Sequence, residues 1–414
     1  MKTYRNYLMA VTILLLTACQ KEKSTPAPLP QPPLTTSQQV QNNNQFAWDL
    51  YQEVVDETEN QLLSPYSISS ALAMTYAGAD GNTATEMQQV FGFGANNSTF
   101  HQDFNQLKLD LQANINRPSN SQLKVVNQLW RNNQVNFLPA FETTMQNEYA
   151  APVLARSFET PELIRQEINH WVEQETNELV QELLPEEFIK RNTATVLVNA
   201  LYLSADWEIP FNVTSTSPQP FHASTGSTTV DMMTTSIPCS NVKYMEDNSV
   251  EMLELYLKDR ATSITILLPK KGSINTLVQN TSHTQLEQWL DSLATPNAMN
   301  SNFSIYLPKF AFTSARSVVG PLQNMGMVDA FNSEADFSKM AEGELQIGDI
   351  RHKAAIKLHE GGIEAAAATA VGVIVGGVPF VERVVNINKP FVMLIREVET
   401  GSILFVGHVD NPNL

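Results

Sequence analysis

The chain has 414 residues, 43% of them hydrophobic, a formal net charge of −17 and two cysteines. That apolar content can fill a large core without disulfides or metals as staples. The acidic balance argues against nucleic acid or heparin-like polyanions as partners, and with Cys19 in a leader the remaining thiol, Cys239, has nothing to pair with.

The first residues read as an export signal. Lys2 and Arg5 precede a short apolar run, Leu8 to Thr17, that is too short to span a bilayer comfortably. Leu16-Thr17-Ala18-Cys19 resembles the bacterial lipoprotein cleavage box, implying removal of residues 1–18 and acylation of Cys19. An ordinary secretory signal cut near Ala18 is the other reading. Two or more acyl chains would make the anchor stable. Gln20 is not the aspartate linked to inner-membrane retention, which favours the outer membrane or cell surface. Residues 19–44, rich in Pro, Gln, Ser and Thr, read as a tether. At ~3.1 Å per residue it could hold a domain on the order of 70 Å from the membrane.

From residue 45 to 412 no second linker or internal repeat interrupts the chain, which predicts one large domain. Phe46, Leu50, Tyr51, Val54 and Val55 fall at helical spacing. Ser64-Pro65 predicts an N-cap and first-turn proline for a helix through Ile68, Leu72 and Met74, stopped near Gly78. Thr83-Ala84-Thr85-Glu86 fits a capping box for another, and Ile168 to Leu184 is a further amphipathic segment. Thr195 to Leu203 reads as a strand buried on both faces. Strands are also expected over Ser304–Phe312, Ala354–Leu358, Val381–Ile387, Phe391–Val398 and Ser402–Val409, with a hairpin turn at Glu399-Thr400-Gly401. Helices early and strands late, without regular alternation, indicate an α+β fold.

No catalytic or metal-binding constellation is evident, so neither an enzyme nor a cofactor is expected. A Gly-x-Ser-x-Gly elbow, a His-Glu-x-x-His motif and a phosphate-binding glycine loop are all missing. His101, His170, His222, His283, His352, His359 and His408 are scattered, none pairing with another at metal-ligand spacing. Cys239 has no local support as a nucleophile. The segment that stands out is Glu360 to Phe380, which is small, almost uncharged and free of proline until Pro379. A surface loop has little reason to avoid bulk and charge for so long; a segment that must become a buried strand does.

Several motifs, in order, resemble the serpin family over essentially all of residues 45–412. They are Ser64 to Met87; Leu197-Val198-Asn199-Ala200-Leu201-Tyr202 with Trp207 and Phe211; Leu307-Pro308-Lys309-Phe310; His352-Lys353-Ala354; Glu360 to Thr369; Asn388-Lys389-Pro390-Phe391; and Phe405 to Pro412. The resemblance implies three β-sheets, about nine α-helices and an exposed reactive-centre loop. It also implies a monomer acting as a one-shot suicide substrate, with the target protease as covalent partner. The protease cuts the loop and becomes acylated; the loop then inserts into the main sheet and drags the protease away.

The hinge implied by the resemblance is Glu360, Gly361, Gly362, Ile363, Glu364, Ala365, Ala366, Ala367, Ala368 and Thr369. As a strand with alternating faces, Glu364 must face water, because an unpaired buried carboxylate is costly. Ile363, Ala365, Ala367, Thr369 and Val371 then face the core, and all are apolar or small. About fourteen inserted residues at ~3.3 Å each would move the loop tip on the order of 45 Å. Gly361 and Gly362 supply the bend. Inhibitory members usually carry Thr or Ser where Ile363 stands; its bulk could slow insertion.

Family spacing from Glu360 implies a scissile bond at Gly376-Gly377, with Val375-Gly376 one residue earlier as the alternative. Both suit proteases that accept small residues: elastase-like or subtilisin-like serine proteases, or papain-like cysteine proteases with Val375 in the second pocket. Arg383 lies too far along to be preferred. By resemblance, Trp207, Lys309 and Glu360 form a breach where insertion starts, and Ser64, Ser67, Asn199 and His352 form a polar shutter beneath the sheet. Leu203-Ser204-Ala205-Asp206 departs from the family's aromatic-basic-Gly-basic run, which changes the charge around the breach. The competing functions are a non-inhibitory serpin acting as a binding protein or chaperone, and a surface adhesin lipoprotein on a serpin scaffold.

Overall fold

The computed structural model describes residues 36–116, 121–296, 301–363 and 381–414, all within one compact unit. Nine α-helices occur among these residues: α1 (Thr36–Val54), α2 (Pro65–Tyr76), α3 (Gly81–Phe91), α4 (Ser98–Ile115), α5 (Pro139–Tyr149), α6 (Pro161–Glu175), α7 (Ile274–Gln279), α8 (His283–Ser292) and α9 (Val319–Asn324). The strands of the first half are β1 (Gln61–Leu63), β2 (Gln122–Asn132), β3 (Val153–Arg156), β4 (Thr195–Asp206), β5 (Ser217–Ala223), β6 (Gly226–Pro238), β7 (Val242–Glu246), β8 (Val250–Tyr256) and β9 (Thr262–Pro269). They continue as β10 (Ser301–Pro308), β11 (Phe310–Ser317), β12 (Arg351–His359), β13 (Gly362–Ile363), β14 (Val381–Asn386), β15 (Phe391–Glu397) and β16 (Ile403–Val409).

The strands form three sheets, in the orders β1-β16-β15-β9-β8-β7, β14-β10-β6-β5 and β11-β12-β13-β4-β2-β3. The last, the main sheet, positions the site. This is the expected α+β, three-sheet architecture. Helix α2 begins as its sequence dictates: Ser64 Oγ accepts a hydrogen bond from Ser67 N and Pro65 occupies the first turn. It packs nearly buried against β4 and β16. Strand β4 is covered on both sides. Val196, Val198 and Ala200 join a cluster with Ile168 and Val172 of α6, whereas Leu201, Leu203 and Ala205 belong to the central core.

Four expectations need correction. The domain does not start at residue 45: α1 begins at Thr36, inside the stretch read as tether. Its polar residues are fastened to the body rather than solvated, with Ser69 Oγ donating to Asn43 Oδ1 at 2.8 Å and Asn44 Nδ2 to Gly401 O at 3.0 Å. Thr83 is no N-cap. Helix α3 starts earlier, after Asp80, and the buried Thr83 hydroxyl accepts from Asp336 N at 2.9 Å. The amphipathic run Ile168 to Leu184 is not one helix. α6 ends at Glu175, and Asn177, Glu178 and Glu182 take positive φ in a strap that folds back. Asn169 Oδ1 and Nδ2 hold Leu184 N and O at 2.8 and 2.9 Å, so Val180 and Leu184 stay in the apolar cluster without a helix beneath them. Finally, Ser304–Phe312 is two strands in two sheets. Pro308 has no N–H to extend a ladder, and Lys309 N turns instead to Asp231 O at 2.9 Å.

Candidate functional site

In the main sheet β13 pairs antiparallel with β12 through Leu358↔Ile363 and His359↔Gly362, and with β4 through Gly362↔Asp206 and Ile363↔Ala205. Strands β4 and β12 are therefore parallel to each other, with β13 between them, about 9.6 Å apart at that end. Among the described residues no ladder joins β4 directly to β12 along Thr195–Ser204 or Arg351–Lys357. Ile363 is buried, 3% exposed, within the core beneath the sheet. Gly362 has φ of +149°, a backbone state that L side chains rarely adopt, and a Cβ there would lie 2.2 Å from Ala205 O. The sequence pattern of glycine at 362 and an inward apolar residue at 363 thus has a steric cause.

Three of the residues singled out above meet at this corner. Trp207 N donates to Gly361 O at 2.8 Å, Trp207 Nε1 to His359 O at 2.9 Å and Phe211 N to Glu360 O at 3.0 Å. Together these fix the turn between β12 and β13. Lys309 Nζ lies 3.2 Å from Glu360 Oε2, and Thr216 Oγ1 donates to Glu360 Oε1 at 2.8 Å. Burial would raise the Glu360 pKa, but its own backbone N–H, Thr216 and Lys309 outweigh that and hold it below the usual value. The carboxylate stays ionised and paired at the mouth of the sheet.

The second group also comes together, beneath the sheet around Asn199 of β4 and His352 at the start of β12. Ser64 N donates to His352 Nε2 at 2.9 Å, Ser64 Oγ to Leu404 O at 2.9 Å, and Ser67 Oγ to Asn199 Oδ1. Asn199 Nδ2 continues the chain to Asn127 Oδ1 at 2.6 Å, and Asn127 Nδ2 to Tyr149 O at 3.0 Å. A cavity of about 20 Å³, room for one water, touches Ser64, Ser67, Asn199 and His352, with Val180 and Leu183 of the strap across from them. Burial, reinforced by Arg316, pushes the His352 pKa down to about 4; burial alone does the same to His101. Both rings are therefore neutral when folded and titrate near 6.5 when unfolded. Folding stability is complete above pH 6.5 and is lost as pH falls through 6.5 towards 4, about 3 kcal/mol for each ring. Calorimetric melts should show the His352→Asn variant less stable than wild type at pH 7.5 but losing less between pH 7.5 and 4.5. An unchanged pH slope would contradict this account.

Glu364, Ala365, Ala366, Ala367, Ala368, Thr369, Val375, Gly376, Gly377 and Cys19 lie outside the described residues. Arg383, just beyond, is engaged: its guanidinium stands 4.0 Å over the Tyr244 ring and its Nη2 lies 2.6 Å from Glu246 Oε1. Sequence reasoning missed Thr216, Asn127 and His359. Asn127 carries a visible signal, a polar residue inside the apolar run of β2; Thr216 carries none. Among the described residues no group of three or more His, Cys, Asp or Glu could hold a metal ion, and no helix is long and apolar enough to cross a membrane.

A family profile described as "Serpin (serine protease inhibitor)" matches residues 41–412. A serpin-like protein of Methanosarcina acetivorans is 31% identical over 373 residues, spanning 89% of this chain and 85% of that protein. The leukocyte elastase inhibitor of Xenopus laevis is 33% identical over 386 residues, spanning 89% and 97%. Among solved structures, the thermophilic serpin Tengpin in its native state superposes with a TM-score of 0.78 at 26% identity, covering 90% of this chain and 94% of that one.

Proposed function

This chain belongs to the serpin family, and we propose that it is a suicide-substrate inhibitor of proteases that accept small residues at the cut bond. One observation carries the reading: Gly362-Ile363 is already paired on both edges between β4 and β12, so a following segment could continue down between them. The attacking serine or cysteine of the protease would form an acyl bond to the Gly376 carbonyl carbon, and the freed Gly377 amine would take up a proton and leave. Residues from Glu364 onward would then follow Ile363 into the sheet, with Trp207, Lys309 and Glu360 as the breach and Ser64, Ser67, Asn199 and His352 as the shutter. The burial of Ile363 with pairing on both sides supports inhibition over the binding-protein, chaperone and adhesin readings.

Elastase-like and subtilisin-like serine proteases are the first expected targets, and papain-like cysteine proteases the next. The relative named as a leukocyte elastase inhibitor points the same way. The Tyr244 and Glu246 contacts of Arg383 favour a cut elsewhere than at that residue. The protein would act as a monomer, anchored through acylated Cys19 to the outer membrane or cell surface after loss of residues 1–18. Mass spectrometry after incubation with elastase, subtilisin and papain should place the cut at Gly376-Gly377 or Val375-Gly376. A cut found only at Arg383 would overturn the assignment.

A further inference from the structure

We propose that His359 is a positioning residue that latches the hinge only while its ring is neutral, so that trapping fails in mild acid. The proposal rests on the inhibitory reading above. Gly361 N donates to His359 Nδ1 at 3.0 Å, and this bond closes the turn from β12 into β13. Nδ1 can accept only when the proton sits on Nε2 alone. A second proton would convert Nδ1 from acceptor to donor and set it against the Gly361 N–H. The same residue's carbonyl accepts from Trp207 Nε1, so a shift of the turn would also disturb the contact that ties it to β4.

The surroundings make the ring sensitive. His359, Gly362 and Asp206 are opposite one another in register, so the imidazole and the Asp206 carboxylate share one face with only a glycine between them. The charged groups facing the ring are Glu360 in the turn, Lys309 before β11, Lys357 on β12 and Asp206 on β4. Burial, helped by Lys309 and Lys357, outweighs Glu360 and Asp206 and holds the ring's pKa below the ordinary value. The latched hinge therefore favours the neutral ring. Latching is complete above the ordinary histidine range and is lost as pH falls through and below about 6.5. His352 and His101 stay neutral in the folded chain down to about 4, so in that window they weaken the fold only through its unfolded state, a loss that wild type and His359→Asn share. A loosened turn releases Ile363 from the sheet, insertion slows, and the acylated protease has time to complete hydrolysis.

The test compares wild type, His359→Asn and His359→Leu at pH 5.5 and 7.5, by hydrogen exchange and by stoichiometry of inhibition. Asparagine offers Oδ1 as an acceptor that does not titrate; leucine offers none. With exchange corrected for its intrinsic pH dependence, wild type should lose protection over residues 357–363 at pH 5.5, by at most about tenfold, the limit for a ring that titrates near 6.5 once the turn is open. His359→Asn should keep the neutral-pH protection at both pH values, and His359→Leu should lack it at both. The inhibitor consumed per protease trapped should rise in parallel: in acid for wild type, at neither pH for asparagine and at both for leucine. Identical pH profiles for wild type and His359→Asn would overturn the proposal, as would full protection in His359→Leu or a stoichiometry that ignores the loss of protection. If exchange follows the expected pattern but no covalent complex forms with any protease at either pH, the latch stands and the inhibitory reading falls.

Discussion

If the chain traps proteases as proposed, replacing Gly362 with valine is expected to turn it into a plain substrate, raising the inhibitor consumed per trapped protease by about ten- to a hundredfold. The reason is local and steric. Gly362 holds φ at +149°, and its missing Cβ would stand 2.2 Å from Ala205 O and 2.6 Å from Asp206 Cα, both backbone atoms that cannot swing away. A side chain must break the pairing to β4, and with it the buried seat of Ile363. The loop can still be cut, because the substitution leaves residues 375–377 unchanged, but the cut loop has lost its starting point. Gly320→Ala is the matched control: that site has nothing within 4 Å and should inhibit like wild type. Titrating a fixed amount of protease with each variant gives the answer directly. Wild-type stoichiometry for Gly362→Val would mean that the observed pairing is not the seat of insertion.

Cutting the loop between Val375 and Gly377 is expected to raise the melting temperature by at least about 10 °C, where a domain of this size moves about 1–2 °C per kcal/mol. Strands β4 and β12 share no ladder along Thr195–Ser204 and Arg351–Lys357 among the described residues, so an entering strand meets hydrogen-bonding edges on both sides. Ala365, Ala367, Thr369 and Val371 would add their inward faces to the core that Ile363 already joins. Ala367→Glu tests this face assignment. It would put a carboxylate on the face that Ile363 turns to the core, where an unpaired charge costs several kcal/mol, and should remove most of the thermal gain. Equal gains for wild type and Ala367→Glu would mean that residue 367 faces water.

Local signals carried much of the fold. The Ser64-Pro65 cap, the two-sided burial of β4 and the hairpin at Glu399-Thr400-Gly401 could be read because each depends on neighbours in sequence. The errors fall where a distant partner decides. Nothing near Thr83 announces that its hydroxyl will be taken by Asp336 N, and nothing before Thr36 shows that a Gln- and Asn-rich run will be pinned to Ser69 and Gly401. Pro308 did carry the signal that splits β10 from β11, but a broken ladder and a continuous apolar pattern look alike along the chain. The same limit applies to the site. Lys309 and Glu360 came from a family pattern and lie in contact. Thr216 completes the same corner from a distant part of the chain, and His359 through a local bond to Gly361 N that its residue type alone does not announce. The unusual Asp206 was visible as a departure, yet its place across Gly362 from His359 needed the register of three strands.

The most direct measurement is denaturing gel electrophoresis of the full-length protein after brief incubation with elastase, subtilisin and papain. Loop insertion predicts a new band that survives boiling in detergent, with the mass of protease plus inhibitor less the fragment released beyond the cut bond. Cleaved inhibitor with fully active protease in every lane, and no such band, would contradict it.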